Sequence, residues 1–175
     1  EKGENLMRGK NYRQPKGQPY ARIEYIHGAP PPKISKFIMG DTKGDFEYCV
    51  SLKVKNDVQI RHNALEAARV AANKSLINDL GDSGYMIKVR VYPHIVLREN
   101  KMIATAGADR LQEGMRRAFG KPIGRAARVK AGEPIIEVYV NESAIQYAKK
   151  ALKAASSKIP TPCKIEVEKI EEAKI

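Results

Sequence analysis

The chain has 175 residues, 42% hydrophobic and 30% charged, with a formal net charge of +12. This composition suits a folded chain with a real core and excludes a disordered tail. No apolar run nears the roughly 18–20 residues that span a bilayer, and the N-terminus lacks the apolar stretch of a secretory signal.

The positive charge is confined to two segments. Residues 1–36 hold eight bases against three acids, and residues 98–130 hold nine bases against three acids. The intervening and following stretches are close to neutral. Such a layout describes an even framework carrying cationic projections toward a polyanion, with nucleic acid the partner that fits best. The expected organisation is one domain over residues 1–175, with a basic N-terminal arm (1–36) and a basic loop (98–130).

Residues 1–36 show no regular period. Asn11-Tyr-Arg-Gln-Pro-Lys-Gly-Gln-Pro-Tyr20 interleaves bases with tyrosine, proline and glycine, and Ala29-Pro-Pro-Pro-Lys33 is kept extended by proline sterics. An arm of this kind buries little of itself and lies along the body or along a partner. Its candidate contact residues are Arg13, Lys16 and Arg22.

Residues 46–54 alternate as a half-buried strand, with Phe46, Tyr48, Val50, Leu52 and Val54 on one face. Residues 63–80 follow as an alanine-rich helix with Leu65, Ala68, Ala72, Leu76 and Leu80 as its buried stripe. Asn63 is the expected N-cap with Glu66 three residues on, and Gly81 suits the left-handed stop. A strand over 85–92 is ended by Pro93, and extended structure resumes at 95–97.

Residues 98–130 interrupt this pattern. Residues 102–108 are small and uncharged, glycines punctuate residues 107–124, and a short helix over 110–119 is expected. Six of the nine bases are arginine, whose guanidinium grips phosphate with two parallel hydrogen bonds and stacks on bases. A second strand–helix–strand unit closes the chain. Residues 135–140 form its strand, a helix from Asn141 or Ser143 runs to about 157 on Ile145, Ala148, Leu152 and Ala155, and residues 163–167 form its last strand. Two amphipathic helices need a sheet to cover, so the expected class is α+β, a mixed sheet with both helices on one side.

No catalytic constellation emerges. His27, His62 and His94 stand alone, and no acid, base and nucleophile can be named together. Gly114-Met-Arg-Arg-Ala-Phe-Gly-Lys-Pro122 has one residue too many for a phosphate-binding P-loop and Pro122 where a magnesium-ligating hydroxyl belongs. Cys49 and Cys163 have no metal-ligand spacing and read as buried thiols of a reducing, intracellular compartment. Neither a metal nor a cofactor is expected.

Five runs, in this order, resemble the L10e/L16 family of large-subunit ribosomal proteins in its archaeal form. They are Ile60-Arg-His-Asn-Ala-Leu-Glu-Ala-Ala-Arg-Val-Ala-Ala-Asn73, Val89-Arg-Val-Tyr-Pro-His94, Leu97-Arg-Glu-Asn-Lys-Met102, the block from Ala106-Gly-Ala-Asp-Arg110 to Phe119-Gly-Lys-Pro122, and Ile159-Pro-Thr-Pro-Cys163. The likeness spans residues 20–167, and the fourth run is its most specific part. It implies an α/β-hammerhead type of fold packed on large-subunit rRNA near the aminoacyl-tRNA site, with no enzymatic activity and a cytoplasmic place in the ribosome. It further implies that residues 102–113 form a tip toward the tRNA acceptor end. Arg98, Lys101, Arg110, Arg116, Arg117, Lys121, Arg125 and Arg128 would contact RNA, with neighbouring ribosomal proteins alongside and no membrane. The competing readings are an RNA-modifying enzyme that docks through its basic arms and a free nucleic-acid-binding regulator. No cofactor loop or catalytic cluster supports either.

Overall fold

The computed structural model describes residue 9, residues 12–101 and residues 114–170. Eight strands and two long helices run in the order β1 (Ile38–Gly40), β2 (Tyr48–Val54), β3 (Val58–Arg61), α1 (His62–Leu80), β4 (Met86–Val89), β5 (Ile95–Glu99), β6 (Lys121–Val129), β7 (Pro134–Val140), α2 (Ile145–Ser156) and β8 (Cys163–Lys169). The α+β class and its two helices agree with the sequence reading. The sheet differs in one respect: where one mixed sheet was expected, the strands form a five-stranded sheet, β1-β4-β7-β2-β8, and a three-stranded sheet, β3-β6-β5, with antiparallel pairs throughout.

The five-stranded sheet is built from apolar rungs. Ile87, Val138, Val50 and Val167 align across β4, β7, β2 and β8, and Val89, Ile136, Leu52 and Ile165 form the next apolar rung. Val50, Leu52, Ile87, Ile136 and Val138 are fully enclosed beneath the helices. Each such side chain contributes about 1.5–3 kcal/mol on leaving water. The helices approach one another through small residues: Ala68 and Ala72 of α1, with Ala148, Ala151 and Ala155 of α2, have no exposed surface. The stripe foreseen for α1 is buried as Leu65, Ala68, Ala72 and Leu76.

The chain passes between the two sheets at β2–β3, β4–β5 and β6–β7. Hydrogen bonds from Gly132 N–H to Val54 O (2.8 Å), Val54 N–H to Glu133 O (3.3 Å) and Arg90 N–H to Ile135 O (2.9 Å) lock these crossings. One face of the three-stranded sheet, carrying Val58, Ile60, Ala127 and Val129, joins the main core. Its other face carries Gln59 and Arg128, opposite one another in the ladder, and Ala126 with Leu97.

Three local expectations are corrected. Residues 121–129 are not loop but the central strand of the small sheet; Pro122, Gly124 and two arginines hide the strand pattern, and packing between β3 and β5 overrides weak propensity. Asn63 does not cap α1: the helix begins one residue earlier after Arg61, with no side-chain cap, and Asn63 Oδ1 is buried without a partner. Glu66 instead reaches the Ser35 N–H and hydroxyl and pairs with Arg69. Finally, residues 114–119 are turns in place of the expected helix, and residues 110–113 lie outside the described residues. Gly81 does end α1 with a positive φ of 73°.

Candidate nucleic-acid interface

The first half of the site is a strap made by the N-terminal segment. Gln59 N–H of edge strand β3 donates to Arg13 O (2.8 Å), and Val96 N–H of the opposite edge strand β5 donates to Tyr20 O (2.8 Å). Between these points the Arg128 guanidinium, on the central strand, donates to Gly17 O (2.7 Å) and Lys16 O (3.1 Å). The segment therefore crosses the small sheet from edge to edge and caps both edges, which would otherwise offer unpaired backbone groups. Tyr12 packs on Leu97 and Ala126 and donates its hydroxyl to Arg98 O (3.0 Å). Further along, Lys33 N–H donates to His62 Nδ1 (3.3 Å), and Phe37 O accepts from Val89 N–H (2.8 Å).

The second half is the return from β5 to β6. Arg98 stacks over Phe119 at 4.0 Å and over Tyr20 at 5.4 Å, and the two rings meet edge to face at 5.6 Å. Its guanidinium donates to Tyr20 Oη (3.0 Å), Phe119 O (3.2 Å) and Gly120 O. One arginine thus rivets the strap to the loop's exit. Gly120 has φ 73°, and a Cβ there would meet the Glu99 carbonyl at 2.3 Å, so only glycine lets the returning chain close on β5.

These features enclose a groove of about 390 Å³ lined by Gln14, Gln18, Gln59, Tyr20, Phe119, Lys16, Arg98 and Arg128 among others. Amides, aromatic rings and cations line it, and among the described residues no carboxylate does. A second cleft, of about 320 Å³, lies between the strap and the helix ends, where Arg13, Arg61 and Lys158 supply the charge. Beside the groove the exposed turn carries Met115 (86% exposed), Arg116, Arg117 and Phe119 (68% exposed).

The sequence-predicted residues therefore fall into groups. Arg13, Lys16, Arg98 and Arg128 are brought together by the strap. Arg116 and Arg117 share the exposed turn, Lys121 is exposed at the start of β6, and Lys101 is exposed beyond β5. Arg22 is exposed at the start of a 3-10 turn, Ile23–Tyr25, apart from these contacts. Arg125 is buried at 7% exposure. Arg110 and the predicted tip lie outside the described residues. Sequence reasoning missed Arg61, Lys33 and Lys158 because each sits in a stretch of balanced charge or beside a structural motif. It also passed over Tyr20 and Phe119 as individual residues; the alternation of tyrosine with bases in the arm was the available signal.

Burial, then the charges of Lys33, Arg61 and Arg125, push the His62 imidazole down to about 4. Elsewhere several cations meet acids. Lys53 binds Glu166 (2.6 Å) and Glu168 (3.0 Å), and Lys164 binds Glu166 (2.9 Å), so these lysines hold the Glu166 carboxyl at about 2. Among the described residues no group of three or more His, Cys, Asp or Glu could hold a metal ion, and no helix is long and apolar enough to cross a membrane. Both cysteines are free and half-buried, not enclosed as expected.

An α+β framework whose described ion pairs lie on the five-stranded sheet and its helices, while arginines of the small sheet are held by carbonyl oxygens, has the layout of a polyanion-binding scaffold. A model of the family described as ribosomal protein L16p/L10e matches residues 15–166. The large ribosomal subunit protein uL16 of Hyperthermus butylicus is 60% identical over 151 residues, covering 86% of this chain and 84% of the relative. Its counterparts in Staphylothermus marinus (59% over 149 residues; 85% and 86% covered) and Archaeoglobus fulgidus (53% over 152 residues; 87% and 87% covered) are similarly near. The chain belongs to the ribosomal protein L16p/L10e family, in its archaeal form. It is accordingly a structural protein, not an enzyme.

Proposed function

We propose that this chain is a structural constituent of the large ribosomal subunit, acting in the cytoplasm as part of the ribosome, and that it binds rRNA through the strap, the exposed 114–119 turn and the cationic face of the small sheet. The observation that carries the interface is the groove where Lys16, Arg98 and Arg128 meet Tyr20 and Phe119 with no acid in the described lining. Folded RNA presents phosphate, 2′-hydroxyls and unstacked bases, which cations, amides and aromatic faces recognise respectively. Arg13, Lys16, Arg22, Lys101, Lys121 and the Arg116–Arg117 pair reach the phosphate backbone. Arg98 and Arg128 act chiefly by shaping the surface, since their guanidinium groups are spent on protein carbonyls.

The finer reading follows the family likeness: the interface sits near the aminoacyl-tRNA site, Arg110 and residues 102–113 reach toward the tRNA acceptor end, and other ribosomal proteins adjoin. The chain would then offset phosphate repulsion and hold RNA helices in a tRNA-accepting arrangement, without performing peptide transfer. Sedimentation of extract in moderate salt tests the main claim. The chain should travel with large-subunit particles, and persistent absence from those fractions refutes it. Footprinting of assembled subunits with and without the chain tests the finer placement, which predicts protections next to the aminoacyl-tRNA site.

A further inference from the structure

We propose that the outer edge of β8 is a docking edge for an extended, basic polypeptide segment of a neighbouring ribosomal protein, which adds to the five-stranded sheet as a further strand. This docking rests on the reading that other ribosomal proteins adjoin the chain, and it gives one of them a place and a chemistry.

The other sheet edges are blunted. The strap caps β3 at Gln59 and β5 at Val96, and β1 is only three residues long. β8 has seven residues, ends its sheet, and pairs with β2 position by position without a bulge. Just beyond its two ends, Lys55 N–H donates to Pro162 O (3.0 Å) and Ile170 N–H donates to Glu47 O (2.8 Å). Bonded and non-bonded positions alternate in an antiparallel ladder. Lys164, Glu166 and Glu168 therefore turn their backbone groups toward β2, while Cys163, Ile165, Val167 and Lys169 turn theirs outward. Among the described residues no strand meets those outward groups. Such a row is a template for another strand.

The side chains define the occupant. On the helix side of β8, Ile165 and Val167 lie opposite Leu52 and Val50, yet Val167 is 37% exposed at the margin of the core. An apolar neighbour would cover it. On the far face Glu168 stays 62% exposed even while it meets Lys53. Residues 163–172 hold four glutamates against two lysines, in a chain of net charge +12. This end of the molecule has the wrong sign for a phosphate backbone and the right one for a cationic peptide. RNA also offers no row of N–H and C=O groups at strand spacing. A second copy fits poorly, because antiparallel self-pairing centred on residue 166, 167 or 168 sets glutamate against glutamate in every case. The segment that fits alternates basic side chains on the far face with apolar ones on the helix side.

A peptide alternating lysine and valine, about eight residues long to match a strand, is the probe. Amide hydrogen exchange on the free full-length chain should find Ile165 and Val167 fast and Glu166 slow, and the peptide should slow the first two. Val167→Pro removes an outward donor and no bond to β2, so it should bind the peptide about tenfold more weakly. Glu168→Lys keeps the backbone row and reverses the charge; it should weaken binding too, and it decides the matter should the proline variant fail to fold. Val167→Pro should bind large-subunit rRNA as the wild type does. In purified large subunits the outward amides should exchange more slowly than in the free chain.

Exchange in purified subunits as fast as in the free chain would overturn the docking edge. So would slow exchange in the free chain without peptide, which would assign the edge to this chain itself. A concentration-dependent dimer lost in Val167→Pro would assign it to a second copy, and equal binding of a glutamate–valine peptide would remove the basic chemistry; either overturns the assignment. None of these outcomes touches rRNA binding. A wild-type chain that fails to bind rRNA would instead sink the functional reading and leave the peptide result standing.

Discussion

Lys53, Lys164, Arg69, Arg90 and Lys150 each meet a carboxylate, and all lie in the five-stranded sheet, in the helices packed on it or, for Arg90, directly after β4. In the three-stranded sheet Arg98 and Arg128 are held by carbonyl oxygens, which leave the formal charge intact, and Arg125 Nε has no partner. The same residue types therefore do different work in two halves of one chain. A carboxylate cancels an arginine for any distant anion; a carbonyl only aims it. The half with the ion pairs is the more nearly closed electrically, and the small sheet keeps its formal charge for a partner.

The largest effect should come from the closed half. Leu76 is fully enclosed, so Leu76→Ala should cost about 2–5 kcal/mol in chemical denaturation. Once refolded, the variant should bind rRNA with an unchanged salt slope; a changed slope would blur the division between the halves.

Next comes a pH effect at the junction. An unfolded histidine titrates near 6.5, whereas His62 is held at about 4 by burial and then by Lys33, Arg61 and Arg125. Between those values the unfolded chain takes up a proton that the folded chain refuses. The stabilisation is complete above about pH 6.5 and is lost as pH falls toward 4, by up to about 3 kcal/mol. Urea titrations of wild type and His62→Gln check this, since the substitution should flatten that window.

Arg98→Ala should cost about 1–3 kcal/mol, through lost charged hydrogen bonds and ring stacking. It should also expose the 12–20 strap to limited proteolysis ahead of the β2–β7 core. Equal protection of the strap in the variant would show that the rivet is not what holds it. Smallest of all, Lys150→Ala removes an exposed pair with Asp79 (2.9 Å) and should change stability by less than about 1 kcal/mol.

The elements with strong apolar period were legible from the residues alone: β2, β7, β8 and the stripes of both helices follow alternation or three-to-four spacing. β6 was not, because Ala126 and Ala127 are too small to announce a strand and Arg125 and Arg128 read as surface. The α1 start was misplaced because Asn63 is a good cap by type, yet Arg61 occupies the cap position. Charge counting found the right segments for the site. It could not distinguish the exposed Arg116 from the enclosed Arg125, or from Arg98 sandwiched between rings, since burial is decided by partners remote in sequence.

The most direct test compares the salt dependence of large-subunit rRNA binding in two neutralised variants. Arg116→Ala/Arg117→Ala removes cations from the open half, and Lys150→Ala/Lys164→Ala removes as many from the closed half. Loss of phosphate contacts should lower the slope by about two units in the first variant and leave the second at the wild-type value. Equal slopes in both would mean that RNA senses only total charge, and the division of labour between the two sheets would be wrong.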